Sequence, residues 1–167
     1  MTSEELIIAL SKEAERIEED SIHSAKGHFN SADIWRYRHY SMGIPATVLG
    51  ALAGAAIVKD WPIAASLLSL TATILTALVT FLKPTERASE HKTAGDQYLA
   101  LKNDARVFRE IELLIQDGES HAEKIKALAQ RRNELNQGSP EIPRKAFERA
   151  KDGIANGEAS YKADKEN

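Results

Sequence analysis

The sequence predicts an all-α membrane protein: a two-helix transmembrane hairpin with a cytoplasmic helical bundle built from both flanks. Three observations carry this expectation. Residues 41–82 hold only two charges, Lys59 and Asp60, which are adjacent and central. The apolar runs on either side of them are each long enough to span a bilayer. The flanking sequences are charged, with apolar residues at the three-four spacing of amphipathic helices. The mean hydropathy of −0.38 averages these unlike parts and hides the apolar block.

The chain divides into residues 1–40, an N-terminal cytoplasmic helix; 41–82, the hairpin; and 83–167, C-terminal cytoplasmic helices with a frayed tail. In the first part Ser3 is placed to cap a helix, with Glu4 and Glu5 favourable in its first turn. Ile7, Leu10, Ala14, Ile17, Ser21 and Ser24 follow three-four spacing that fades toward its end. Gly27 and Asn30 weaken the helix before Ile34 and Trp35. No cleavable signal peptide is expected, because the start is acidic and its apolar run is short. The first membrane segment then serves as its own insertion signal.

Segment one is Ser41–Val58 and segment two is Ile63–Leu82. At about 1.5 Å per residue both approach the hydrocarbon thickness of roughly 30 Å. Lys59-Asp60-Trp61-Pro62 links them, and two charges and a proline have no place unpaired in lipid, so the chain must surface there. So short a link forces an antiparallel pair. Pro45 disfavours a straight helix through Ile44, a weak sign of a hinge.

Arg36, Arg38, Lys83 and Arg87 flank the pair on the outside, against Lys59 alone in the link. The positive-inside bias puts both termini in the cytoplasm. Trp35, Tyr37 and Tyr40 are expected in the aromatic belt on that side, and Trp61 at the opposite headgroup level. Arg36, Arg38 and Lys83 complete the membrane-interface set.

Gly50 and Gly54 form a small-xxx-small pair near Gly43, Ala46, Ala53 and Ala56, which suits close helix packing, within the hairpin or between subunits. Ser66, Ser69, Thr73, Thr76 and Thr80 recur at three-four spacing and form one hydroxyl stripe. Such hydroxyls bond their own helix carbonyls and are tolerated in lipid. The stripe therefore has two readings: a packing face between helices, or, in a ring of copies, the lining of a water-filled path.

After Lys83-Pro84-Thr85 allows a bend, a helix is expected over 86–116 with Ala94, Tyr98, Leu101, Ala105, Phe108, Ile111 and Ile115 on its apolar face, stopped by Asp117-Gly118. A second is expected over 119–136 with Ala122, Ile125, Leu128 and Leu135 as a thinner stripe. Gly138-Ser139-Pro140 breaks the chain, and a short helix from Pro143 to Ile154 carries Phe147 and Ala150. The tail frays from Asn156. Apolar stripe left over on these helices is available for subunit contacts of the coiled-coil kind.

The composition excludes several chemistries. The net charge is −3 and no basic block occurs, so no nucleic-acid partner is expected. With no cysteine there is no disulfide or thiolate chemistry. His23, His28, His39, His91 and His121 form no i, i+4 metal pair with a carboxylate; His23 and His28 fall on different faces, and His39 suits a headgroup contact. No glycine-rich phosphate loop exists. No enzyme activity, metal or cofactor is expected.

The stretch Ser24–Ala56, with Ala25 and His28, a basic-aromatic run into Gly43-Ile44-Pro45, and a small-residue first membrane helix, resembles the SLATT domains (SMODS and SLOG-associating two-transmembrane effector domains). The turn, the second apolar segment and the helix with His91, Ala94 and Tyr98 are also similar, so the resemblance spans about residues 20–115. It implies a bacterial conflict-system effector at the inner membrane that forms pores or disrupts the bilayer when a neighbouring sensor signals infection. Sensors associated with the family include nucleotide-second-messenger synthases, nucleotide-binding SLOG proteins and reverse transcriptases. The chain itself carries no sensor domain, so the resemblance implies a homo-oligomeric effector served by a separate sensor protein or nucleotide signal. The alternatives are a membrane-anchored helical scaffold, or an accessory subunit of a transporter, neither with a pore.

Overall fold

The computed structural model describes residues 3–115 and 118–161, without the side chains of Ser3, Gly118 and Glu119. The expected cap at Ser3 and the stop at Asp117 therefore lie outside the described residues. Those residues are helical throughout their regular structure: α1 (Ser3–Val58), α2 (Pro62–Leu82), α3 (Pro84–Glu110), a 3-10 turn (Glu112–Leu114), α4 (Gly118–Gly138) and α5 (Arg144–Ala155). They form two compact units, one of Met1–Ser31 with Glu90–Asn167 and one of Ala32–Ser89.

The first unit has a conventional apolar core. Leu10, Ala14 and Ile17 of α1 meet Leu101, Ala105 and Phe108 of α3, Leu113 of the 3-10 turn, and Ile125 and Leu128 of α4. Burying side chains as large as Ile17, Leu101 and Phe108 contributes about 1.5–3 kcal/mol each. Here α1 and α3 run in opposite directions, since His28 meets His91 while Glu18 meets Arg109. The expected face of α3 from Ala94 to Phe108 is buried. Ile111 and Ile115 depart from it: α3 ends at Glu110, the tighter turn changes the phase, Leu113 turns inward, and the two isoleucines are exposed. Ile7 is likewise exposed at the far end of the α1 stripe.

The expected weakness of α1 near Gly27 and Asn30 does not appear, and the helix continues through both and through Pro45. The reasons are local. A Cβ on Gly27 would lie 2.9 Å from Ile142 Cδ1, so the missing side chain makes room for a neighbouring segment. Asn30 Nδ2 donates to the Ala146 carbonyl at 3.2 Å, and Ser31 Oγ donates to the Gly27 carbonyl at 2.7 Å. The stripe of α1 does not fade either; it changes composition, because Ser21, Ala25, His28 and Ser31 are all buried. In α5, Ala146, Ala150 and Gly153 face inward while Phe147 is exposed. Of the tail expected to fray from Asn156, residues 156–161 are held: Glu158 pairs with Lys26, and Lys102 Nζ donates to the Tyr161 hydroxyl at 3.0 Å; residues 162–167 lie outside the described residues.

The second unit holds the apolar hairpin. Its turn is a Schellman motif: Trp61 N–H donates to the Ala56 carbonyl at 2.9 Å and Asp60 N–H to the Ile57 carbonyl at 3.1 Å, with Asp60 at φ 55°. Pro62 then opens α2 as a first-turn proline. At the other end Lys83 alone separates α2 from α3, in the left-handed conformation at φ 46°, followed by Pro84 at the start of α3. Both apolar helices are long and apolar enough to cross a membrane, and only 11% of each apolar window is buried. Val58, Ile63 and Phe81 are about four-fifths exposed.

Candidate functional site

The contact between α1 and α2 interleaves alanines with larger aliphatic side chains. On α1 the covered positions are Ala46, Leu49, Ala53 and Ala56; on α2 they are Ala65, Leu68, Ala72, Leu75 and Val79. Both series keep three-four spacing, so each helix contributes one straight seam.

Every residue of the hydroxyl stripe, Ser66, Ser69, Thr73, Thr76 and Thr80, stands one position after a seam residue and is exposed. One position turns a side chain by about 100° around the helix. The stripe thus runs beside the seam and not within it. On α1, Thr47, Gly50 and Gly54 stand one position after Ala46, Leu49 and Ala53 in the same way, whereas Gly43 is itself half-buried. Equal forward steps on two facing antiparallel helices turn toward the same side, so the glycines and the hydroxyls share one face of the hairpin. A groove of about 630 Å³ opens there, lined by Ala46, Gly50 and Ala53 with Ser69, Thr73, Thr76 and Thr80. One position before the seam stand Val48, Leu52, Leu67, Ile74 and Leu78, which are bulky and exposed on the opposite face.

A Cβ placed on Gly43, Gly50 or Gly54 would meet nothing within 4 Å. The contact of α1 with α2 therefore does not require these glycines; alanines supply the close approach. Four of the five stripe hydroxyls are bonded to their own helix. Ser66 donates to the Pro62 carbonyl at 2.8 Å, Thr73 to Ser69 at 2.8 Å, Thr76 to Ala72 at 2.9 Å and Thr80 to Thr76 at 2.9 Å. Such bonds lower the cost of a hydroxyl in an apolar medium.

The expected interface residues differ among themselves. Tyr37, Tyr40 and Trp61 are exposed. Trp35 is only 9% exposed, and its ring lies under two guanidinium groups, with Arg38 Cζ 4.5 Å and Arg87 Cζ 4.9 Å from the ring centre. Arg36 pairs with Asp33 at 3.2 Å and Lys83 with Glu86 at 2.9 Å. His39 Nδ1 lies 3.3 Å from the Thr85 hydroxyl.

In the first unit there is a buried polar set that spacing along the chain does not announce. His28 Nδ1 lies 2.9 Å from His91 Nδ1, the His28 ring stacks on Tyr98, and Tyr98 donates to Asn136 Oδ1 at 2.7 Å. Burial first, and the charge of His91 second, lower the His28 pKa to about 4. Burial raises the Tyr98 pKa against the opposing effect of a hydrogen bond with Ser139. The signal for this pair lay in the stripes: His28 and His91 each occupy a core-facing position of a long helix. Two imidazoles make an incomplete metal site, and no group of three or more ligating side chains occurs among the described residues. Comparison with protein-family models, with curated proteins and with solved structures finds no match.

Proposed function

We propose that the chain is a membrane-inserted subunit that works as a homo-oligomer, with the glycine-hydroxyl face of its hairpin turned toward neighbouring copies. The observation that carries this reading is the two-sidedness of the hairpin: mostly small and hydroxylated residues on one face, with Ile57 and Phe81 as its bulky members, and mostly bulky aliphatic residues on the other, with Thr71 among them. Lipid suits the aliphatic face, and the large exposed apolar area has no stable place in water. Small residues suit close helix approach in a bilayer. A single hairpin cannot enclose a path, so permeabilisation requires several copies.

In this reading both termini are cytoplasmic, the helical flanks form a cytoplasmic bundle, and the membrane is a bacterial inner membrane. The likeness to SLATT domains supports the biological setting, a defence effector that opens the membrane when a separate sensor or nucleotide signal acts. The test is inducible expression with a membrane-potential dye under activating conditions. Wild type should depolarise cells, and Thr73→Leu/Thr76→Leu should not. Potential that stays intact with the wild-type chain rejects the pore.

A second reading, a membrane-anchored scaffold, is favoured by one observation: the hydroxyls of Ser66, Thr73, Thr76 and Thr80 donate to carbonyls of their own helix, which engages their protons without water. It predicts that leucine at residues 66, 73 and 80, or an unrelated hairpin in place of 41–82, leaves activity unchanged.

A further inference from the structure

We infer that Trp35, Arg38 and Arg87 form a binding site for the headgroup of an anionic phospholipid. The inference rests on the membrane reading above and assigns a ligand to one edge of the hairpin unit.

The site joins two helices. Trp35 and Arg38 belong to α1, Arg87 to the first turn of α3, and all three lie in the unit of Ala32–Ser89. Both guanidinium groups lie against one indole, at 4.5 and 4.9 Å from its centre. An indole face attracts a cation, which holds each arginine in place. It does not neutralise them, and two like charges gathered at one ring repel. Carboxylates do not relieve this: Arg36 and Lys83 nearby have Asp33 and Glu86, whereas neither Arg38 nor Arg87 is ion-paired with a carboxylate among the described residues. Arg87 uses its Nε to donate to the Leu82 carbonyl at 3.1 Å, which fixes its stem and leaves its terminal N–H groups for another acceptor.

Depth selects the ligand. Arg38 stands three residues before Ser41 and Arg87 five residues after Leu82, the limits of the apolar segments. At about 1.5 Å per residue this is roughly one turn beyond the hydrocarbon, within the headgroup layer of about 5–8 Å on each side of a bilayer. The acceptor abundant at that level is the phosphodiester, and planar guanidinium forks match phosphate oxygens in bidentate geometry. A zwitterionic lipid brings its own cation to the site, which the arginines repel; an anionic lipid does not. The exposed Tyr37 and Tyr40 on the same turns of α1 suit the same layer.

The experiment uses the full chain with Trp61→Phe, so that Trp35 is the sole tryptophan. The chain is first floated with phosphatidylcholine vesicles. It is then titrated in mild detergent with short-chain phosphatidylglycerol, with short-chain phosphatidylcholine and with inorganic phosphate, following Trp35 fluorescence and, in parallel, lipid retention by native mass spectrometry. Phosphatidylglycerol should bind more tightly than phosphatidylcholine. The preference should fall by about fivefold for each of Arg38→Gln and Arg87→Gln, the effect of one basic side chain at an anionic surface. Arg36→Gln and Lys83→Gln, which remove carboxylate-paired charges, should leave most of the preference in place. Equal binding of the two lipids overturns the site, as does equal loss in all four variants, which would mean diffuse surface charge. Inorganic phosphate competing at concentrations comparable to the lipid overturns the lipid assignment in favour of a soluble anion. A chain that does not float fails the membrane reading itself; a chain that floats without lipid preference fails the site alone.

Discussion

In the unit of Met1–Ser31 and Glu90–Asn167, the three-four positions carry Leu10, Ile17, Leu101 and Phe108, and these are buried. In the hairpin the same spacing carries Ala53, Ala56 and Ala65 at the contact, while Leu52, Leu67 and Ile74 point outward. Water drives the large side chains inward in the first case. In the second many large side chains lie outside, and alanines alternate with Leu49, Leu68, Leu75 and Val79 at the contact, a pattern that suits packing within lipid. Periodicity therefore locates the contact face in both regions, and the size and polarity of the residues on the other face are what distinguish them.

Matched substitutions break or sharpen this contrast. The largest expected effect is Phe108→Ala, which empties a fully buried site and should cost about 3–5 kcal/mol; Phe81→Ala, 85% exposed before the change, should cost far less. Denaturant unfolding of the full chain in detergent, followed by circular dichroism, checks both. Equal losses would mean that Phe81 is covered by protein.

Next is pH. The folded His28 pKa is lowered to about 4 from 6.5, so between these values the unfolded chain holds a proton that the folded chain does not. Stability is then fully present above about pH 6.5, declines as pH falls toward 4, and levels off below, a loss on the order of 3 kcal/mol. The decline should appear in thermal melts, and His28→Leu should flatten it. Residues 41–82 hold no histidine, so the helicity of the hairpin should stay constant over the same range.

A smaller effect separates seam from face. Ala53→Leu overpacks the contact of α1 with α2 and should cost about 1–3 kcal/mol. A Cβ added at Gly50 meets no atom within 4 Å, so Gly50→Leu should leave the monomer within about 0.5 kcal/mol of wild type, while weakening self-association in nanodiscs. Subunit counts that do not change with Gly50→Leu would remove this face from the oligomer. The smallest effect is expected at the turn. Asp60 sits at φ 55°, so Asp60→Gly should stabilise by up to about 1 kcal/mol.

The ends of the hairpin were legible in the sequence because charge and proline mark them: α2 begins at Pro62, one residue before the expected Ile63, and ends at the expected Leu82. The face of α3 from Ala94 to Phe108 was legible because its period is regular. The continuity of α1 was not, since Gly27 and Asn30 are weak helix formers whose roles are set by Ile142 and Ala146, more than a hundred residues away. The stripes place His28 and His91 each on a core-facing position, but nothing in the spacing pairs two residues 63 apart. For the hairpin, the spacing gave each stripe separately. That the glycine and hydroxyl stripes share a side follows only from the phase of both helices relative to their common seam.

The direction in which the stripe hydroxyls point their protons has an electrical consequence. With the hydrogens of Ser66, Thr73, Thr76 and Thr80 turned onto their own helix, the outward side of each oxygen carries lone pairs. A ring of such helices would present partial negative charge to whatever moves along it. Potassium should therefore pass more readily than chloride, and a salt gradient across a planar bilayer should set the zero-current voltage near the potassium equilibrium value.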